Sequence, residues 1–374
     1  MLYEHKVSAG TKSFSKPGDS KSSYKDYNGF MTFTALSVFT RKPLHRAKYR
    51  ILVTGSRGKS SLVRLIFAGL SAAGLDARGR ITGVVPRELA PGGERRIVRN
   101  APGHVEEMRW WLRQIPPPTQ AIVMENSAVQ PELQGLAAEW LRPTLTVWTN
   151  ARPDHEDAWG PGENSAGSAL YRGIPDEGLL LLGAELAGST HLQKNLAGRR
   201  GETVTMGKSS EGYLAANLAL AARALDLLGL RGEKPLAAMK NLPPDVADFR
   251  IFSTTDKGAE GARIFLASAF SANDLESTEQ LFASTGWRED ETSVLYCGRR
   301  DRAVRLKSFR PFLERGWREV RTLRGDEPLP LVESWIAGCG GSTRKIFGCG
   351  NVKGVPLELL LKLERNEAQW ILPC

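Results

Sequence analysis

Thr54 to Ser61 reads TGSRGKSS. Gly55 and Gly58 would let the backbone pass close to an anion. The first N–H groups of a following helix would point at that anion, and Lys59 would add a positive charge. Ser60 could then offer its hydroxyl to a magnesium ion. The common Walker spacing, G-x-x-x-x-G-K-[ST], needs a glycine at position 53, where Val53 stands. The match is therefore to a shorter loop, G-x-x-G-K-S, and Gly55, Ser56, Arg57, Gly58, Lys59, Ser60 and Ser61 form the expected phosphate site. Two more polar positions follow apolar runs. Glu125 ends AIVME, and Asn150 ends TVWTN, from which RPDHED runs on to His155. Glu125 and His155 are candidate ligands for the same magnesium, although a hard cation prefers oxygen. The alternative for each is a helix cap or a loop contact.

These residues need a strand, a loop and a helix to position them. YRILV before the loop is short, apolar and β-branched. After it, Leu62, Leu65, Ile66, Gly69 and Leu70 recur at helical spacing, with Gly74 as a stop signal. A Gly, Pro and Arg-rich connection follows (RGRITGVVPRELAPGGERR), then a helix around HVEEMRWWLRQI. Two strands come next, QAIVMENS and PTLTVWTN, and a polar loop, ARPDHEDAWGPGENSAG. GLLLLGA reads as a strand and EGYLAANLALAARALDLLG as a helix, before NLPPDVADF breaks the pattern near Arg250. Beyond it, four strand-helix units (from ARIFLASAF, TSVLYCG, EVRTLRG and KIFGCG) predict a parallel sheet covered on both faces. The expected class is α/β. Residues 1–48 form a basic flexible segment, 49–250 a P-loop domain with a parallel sheet, and 251–374 a smaller Rossmann-like domain. In open α/β sheets ligands gather beyond the carboxyl ends of strands, where the polar positions fall.

Composition narrows the class further. The chain of 374 residues has a formal charge of +10, but residues 1–50 hold ten Lys and Arg against three Asp and Glu, leaving 41 against 38 elsewhere. The globular part is nearly neutral, which argues against nucleic acid as a partner. The basic tail reads as a solvated segment or as one that meets an anionic membrane surface. Its apolar run Phe30 to Phe39 is too short to span a bilayer. Cys297, Cys339, Cys349 and Cys374 show no metal spacing, which fits a reduced, cytosolic compartment. No cleavable signal sequence is visible.

TGSRGKSS, a strand-terminal Glu and TN followed by DHED together resemble the Mur ligase superfamily of ATP-dependent amide-bond ligases. Within it the sequence is similar to the poly-γ-glutamate synthase ligase subunit of bacterial capsules, the PgsB/CapB type, from about Tyr49 to about Leu363. The segments that carry the likeness, in order, are SRGKSSLVRLI, SAVQPELQ, NARPDHEDAWGP, NLPPDVADFRIF, SAFSANDLESTEQLF, CGRRDRAVR and IFGCGNVKGVPLELL. The resemblance implies that Lys59 holds the β- and γ-phosphates of ATP and that Ser60, Glu125 and His155 bind Mg2+. It places Asn217 near the adenine, Arg250 at the domain junction reaching the nucleotide, and Asn273 facing the cleft, with Asn150 in the nucleotide site. It also implies small membrane-protein subunits of a capsule synthase as partners, a homo-oligomer as an option, and a cytoplasmic protein held at the inner face of the membrane.

The chain departs from the family at three places. Ala269 stands where many relatives bind ribose with an aspartate. No lysine occurs between His155 and Lys194, where many have a carbamylated one. The membrane-spanning helix with which the family usually starts is not seen. The leading expectation is a ligase joining glutamate units through the γ-carboxylate and releasing ADP and phosphate. Arg299, Arg302 and Arg305 would pair with substrate carboxylates. Glutamate addition to a folate-like acceptor, or a nucleotide-gated assembly or transport partner that ligates nothing, are the alternatives.

Overall fold

The computed structural model describes residues 46–374 apart from 101, 208–211, 256–262, 273, 300–302, 339–342, 366–369 and 372–374. The basic tail with Phe30 to Phe39, Asn273, Arg302, Cys339 and Cys374 all lie outside the described residues. YRILVT forms β1 (Tyr49–Thr54), and the loop leads into α1 (Lys59–Ala72). The helix stops where expected, because Gly74 takes a positive φ of 83°.

The Gly, Pro and Arg-rich stretch is not a mere connection. It folds into β2 (Ala77–Ile81), β3 (Arg87–Ala90) and β4 (Gly93–Arg96). Pro91 and Gly92 turn β3 antiparallel onto β4, with Gly93 at φ 120°. The charged residues on β3 and β4 hid these strands from a hydrophobic-pattern reading. α2 (Glu107–Gln114), β5 (Ala121–Glu125), α3 (Gln134–Leu141) and β6 (Leu145–Trp148) follow. The expected polar loop contains α4 (Glu156–Trp159) and α5 (Gly162–Tyr171). Then come β7 (Leu179–Leu182), α6 (Thr190–Leu196), β8 (Thr203–Thr205), α7 (Gly212–Leu227) and α8 (Glu233–Lys240).

The first sheet runs β4-β3-β2-β5-β1-β6-β7-β8, parallel from β2 to β8 with an antiparallel edge. Its central strands are largely apolar because helices cover both faces. Ile51 and Val53 pack with Leu62, Ile66 and Leu70 of α1 and with Leu225 of α7. On the other face Leu52, Ile122 and Met124 meet Trp111 and Leu112 of α2 and Leu141 of α3. Each such side chain, fully buried, contributes about 1.5–3 kcal/mol. Ala47 belongs to that second cluster and is buried, so the ordered core starts ahead of Tyr49.

The second sheet comprises β9 (Ile251–Thr255), β10 (Arg263–Ser268), β11 (Thr292–Cys297), β12 (Glu319–Leu323), β13 (Arg344–Cys349) and β14 (Trp370–Ile371). Its order is β12-β11-β13-β10-β9-β14. The helices between its strands are α9 (Leu275–Ser284), α10 (Ala303–Leu313), α11 (Leu329–Ala337) and α12 (Val355–Arg365). β10 to β13 are parallel, as the four strand-helix units predict. β9, which that prediction lacks, lies antiparallel to β10. Only residues 256–262 separate the two, too short a connection for a helical crossover.

Residues 42–374 pack as one compact unit. Val84 and Val85, in the loop from β2 to β3, pack on the core of the second sheet with Val246, Phe252 and Leu360. No helix among the described residues is long and apolar enough to cross a membrane.

Candidate active site

Parallel register assembles the site. Val53 pairs with Glu125 and Thr54 with Trp148, so the glycine loop, the end of β5 and Thr149–Asn150 share one carboxyl edge. The loop is held from the β6 side. Thr149 Oγ1 donates to the Arg57 carbonyl at 2.7 Å, and Asn150 Oδ1 accepts from the Arg57 N–H at 3.0 Å. Ser56 N–H donates to the Asn150 carbonyl at 3.1 Å. Gly55, at φ 131°, leaves no room for a Cβ, which would collide with Thr149 Oγ1. Gly58, at φ 78°, heads α1 with no side-chain cap, so the first N–H groups of the helix remain available to an anion. Lys59 Nζ folds back onto the loop, donating to the carbonyl of Gly55 at 2.6 Å. Burial lowers its pKa, while the charges of Glu125 and Asp154 oppose that and Arg57 adds to it.

Ser60 Oγ donates to Glu125 Oε2 at 2.7 Å. The other oxygen of this buried carboxylate accepts the backbone N–H of Thr82 at 2.6 Å, and also the Thr82 hydroxyl. Thr82 follows β2, which pairs with β5. A Cβ on Gly83 would come within 2.6 Å of Ser60 Oγ, so this loop closes tightly over the serine. Hydroxyl and carboxylate oxygens at the end of a phosphate loop fit a hard divalent cation. Among the described residues no three His, Cys, Asp or Glu side chains form a ready metal cage. Magnesium does not need one, since it keeps waters and substrate phosphate oxygens beside one or two carboxylates.

His155 precedes α4 at φ 47°, a conformation uncommon outside glycine. Its Nε2 lies 3.6 Å from Asp154 Oδ2, and its ring tilts against Trp159. Asp154 itself pairs with Arg57 Nη1 at 3.2 Å. Burial would raise the Asp154 carboxyl, but Arg57, His155 and Lys59 prevail and hold it below the usual aspartate range. Asp154 thus ties His155 electrostatically to the loop.

Asn217 of α7 sits against Gly58, where its Oδ1 would be 3.2 Å from a Cβ. Ser61 Oγ donates to Asp248 Oδ1 at 3.2 Å. Arg250 is buried just before β9, paired with Glu364 and lying over the Phe252 ring. Arg299 follows the carboxyl end of β11, and Arg305 lies in α10 within electrostatic reach of Tyr296. Asp274 caps α9, accepting from Ser277 N–H at 2.7 Å, and its other oxygen meets Arg57 Nε at 3.1 Å. Arg152 Nη1 donates to Ser277 Oγ at 2.8 Å. The carboxyl edge of β10 is therefore held against the phosphate loop.

Thr82, Thr149, Asp154, Asp248 and Asp274 are absent from the expected site. Asp154 stood in the DHED stretch and could have been named. Thr82 could not, because the strand before it went unread. Cys297 and Cys349 are free and buried, and burial pushes the Cys297 thiol up to about 12, so it supplies no thiolate near neutral pH.

A two-sheet chain whose phosphate loop faces the carboxyl edge of the second sheet corresponds to a known architecture. The family model for the Mur ligase middle domain matches residues 53–232. Solved structures of the same fold include E. coli FolC in complex with ADP, without folate substrate. It has a TM-score of 0.62 and 14% identity, over 89% of this chain and 93% of that one. MurF ligase from Thermotoga maritima in complex with ADP has a TM-score of 0.58 and 11% identity, over 89% and 83%. The chain belongs to the Mur ligase superfamily and is an ATP-dependent amide ligase. The model for the poly-gamma-glutamate synthase CapB C-terminal domain matches residues 254–334, which places the chain in the CapB type. PGA synthase CapB of Bacillus subtilis (strain 168) is 27% identical over 378 residues, covering 88% of this chain and 94% of that protein. Capsule biosynthesis protein CapB of Bacillus anthracis is 26% identical over 320 residues, covering 80% and 68%.

Proposed function

We propose that this ligase polymerises glutamate through γ-carboxylate linkages, spending one ATP per bond. A carboxylate oxygen attacks the γ-phosphorus and ADP leaves, giving an acyl phosphate. An amine then attacks the acyl carbon, phosphate departs with the C–O bond, and the amine loses a proton. Lys59 and the N–H groups of the loop hold the phosphates, while Ser60, Glu125 and His155 would hold Mg2+, which would supply charge neutralisation at the phosphates. Thr82 and Asp154 position Glu125 and His155. Asn150 shapes the loop, Asn217 and Arg250 serve the nucleotide, and Asn273, Arg299, Arg302 and Arg305 serve the acid.

Residues 49–250 and 251–374 would be the two domains, a division supported by the two sheets on either side of Arg250. The observation that carries the reading is the cross-seam contact of Arg57 with Asp274 and Arg152 with Ser277. It sets the second sheet's carboxyl edge beside the phosphate loop, where water can be excluded from an acyl phosphate. Small membrane subunits at the inner face of the membrane would be the partners, without nucleic acid, and a homo-oligomer fits the same scheme. The test is phosphate release with ATP, magnesium and each candidate acid. Glutamate-dependent release of ADP supports the reading. Release that depends instead on a pteridine-bearing acceptor, or on no acid at all, rejects it.

A further inference from the structure

A second recess lies on the first sheet, between its β3–β4 edge and α2. Its volume of about 560 Å³ is within the range of small-molecule sites, roughly 300–1,000 Å³. Arg80, Arg95, Arg96 and Arg99 line it together with Trp110 and Trp111. Two carboxylates share the wall. Glu107 accepts from Arg80 Nη2 at 2.8 Å and from Arg99 Nη2 at 2.7 Å. Glu88 accepts from Arg95 at 2.6 Å and from the Trp111 indole at 3.0 Å. Four guanidinium groups against two carboxylates leave positive charge in excess, and Arg96 has no ion-pair partner among the described residues. Arg80 is 1% exposed, yet its Nη1 meets no hydrogen-bond partner among the described residues. A buried guanidinium N–H without an acceptor is unfavourable, and it adds to the positive charge behind the recess wall.

The recess adjoins the phosphate site along β2. Arg80 stands two residues before Thr82, which binds Glu125. Burial lowers the Arg80 pKa, against the opposing charges of Glu107 and Glu125. Glu88 and Glu107 oppose any polyanion, but both are already paired with arginines of the wall. Trp110, Trp111 and the exposed Val98 offer apolar surface to the methylene groups between the carboxylates of a γ-glutamyl chain.

We propose that this recess binds the carboxylate-rich body of an oligo-γ-glutamate chain, with the reacting end led along β2 to Glu125. The proposal rests on the polymerase reading above. It assigns the oligomer to the first sheet, leaving Arg299 and its neighbours to the carboxylates of the glutamate that joins it.

The test is fluorescence anisotropy with a dye-labelled oligo-γ-glutamate and no ATP, on the full chain and on the Arg95→Gln/Arg96→Gln double variant. Both arginines are exposed and their replacement leaves the core intact, with ATP binding as the check on folding. The variant is expected to bind the oligomer at least about tenfold more weakly, with KM for the oligomer raised and kcat unchanged. Wild-type affinity in the variant overturns the proposal. So does an oligodeoxynucleotide of equal charge that competes as well as unlabelled oligo-γ-glutamate, which would make the recess a nucleic-acid site. Binding is read without turnover, so loss of glutamate-dependent ADP release in the wild type would fail the polymerase reading alone.

Discussion

Ser60, Glu125 and Thr82 form a chain of hydrogen bonds in which each member fixes the next. If Lys59, Glu125 and His155 act on one phosphate-metal unit, Lys59→Ala, Glu125→Ala and His155→Ala should each lower ATP turnover by roughly 10²–10³-fold while circular dichroism stays unchanged. Near-normal turnover in any two of them would reject the site. Thr82→Val removes the hydroxyl from Glu125 but keeps the backbone N–H and the side-chain shape. It should raise the magnesium concentration for half-maximal activity by about tenfold, as loss of an outer-shell partner does. An unchanged magnesium dependence would leave Thr82 a bystander. TGSRGKSS and the strand-terminal Glu125 were legible because their residue types are the chemistry. Thr82 was not, because a threonine acquires that meaning only beside a carboxylate that folding brings to it.

Helix α9 does two things with one residue: Asp274 caps it and also reaches Arg57 across the seam. Asp274→Asn keeps a good cap and loses the charge, whereas Asp274→Ala loses both. The Asn variant should lower kcat by roughly tenfold, about 1.4 kcal/mol, with little change in melting temperature. The Ala variant should lose about 1 kcal/mol of stability as well. Equal kcat in wild type and Asn variant would mean that the contact does not serve closure. Glu107 of α2 makes a pH-dependent contribution. Burial would raise its pKa, but Arg99, the His104 N–H and Arg80 hold it below the usual glutamate range. Its stabilisation is thus present above the unfolded pKa, about 4.3, and is lost as pH falls through the lower folded value. Glu107→Gln should cost roughly 3 kcal/mol at pH 7, because it weakens a pair whose Arg80 is buried. The gap to wild type in thermal melts should narrow steadily below pH ~4. A gap constant with pH would assign the loss to packing.

The two sheets meet so that β10 and β11 present their carboxyl ends on the same edge, with β13 between them. Arg299 follows β11 as Asp274 follows β10, and Asp274 touches the phosphate loop. On that placement Arg299→Gln should raise the apparent KM for the acid by tenfold or more, about 1.4 kcal/mol, leaving ATP affinity unchanged. Steady-state kinetics with varied glutamate, together with nucleotide titration, decide this. Weaker ATP binding with unaltered acid dependence would assign the arginine to the nucleotide.

Apolar periodicity and the glycine loop by themselves determined β1, α1, β5, β6 and the parallel core of the second sheet. These elements bury continuous faces, so their local pattern and their environment agree. The charged hairpin β3–β4 and the antiparallel β9 depended on tertiary pairing, because β3 buries Leu89 and β9 buries Ile251 and Phe252, faces too short to declare a strand by periodicity. The same holds for the site. Lys59, Ser60 and Glu125 declare themselves by type and position after strands. The contacts Thr82 to Glu125, Asp154 to Arg57 and Asp274 to Arg57 span 43, 97 and 217 positions of sequence. Parallel strand register and the packing of two sheets decide distances of that order, and no spacing within the chain encodes them.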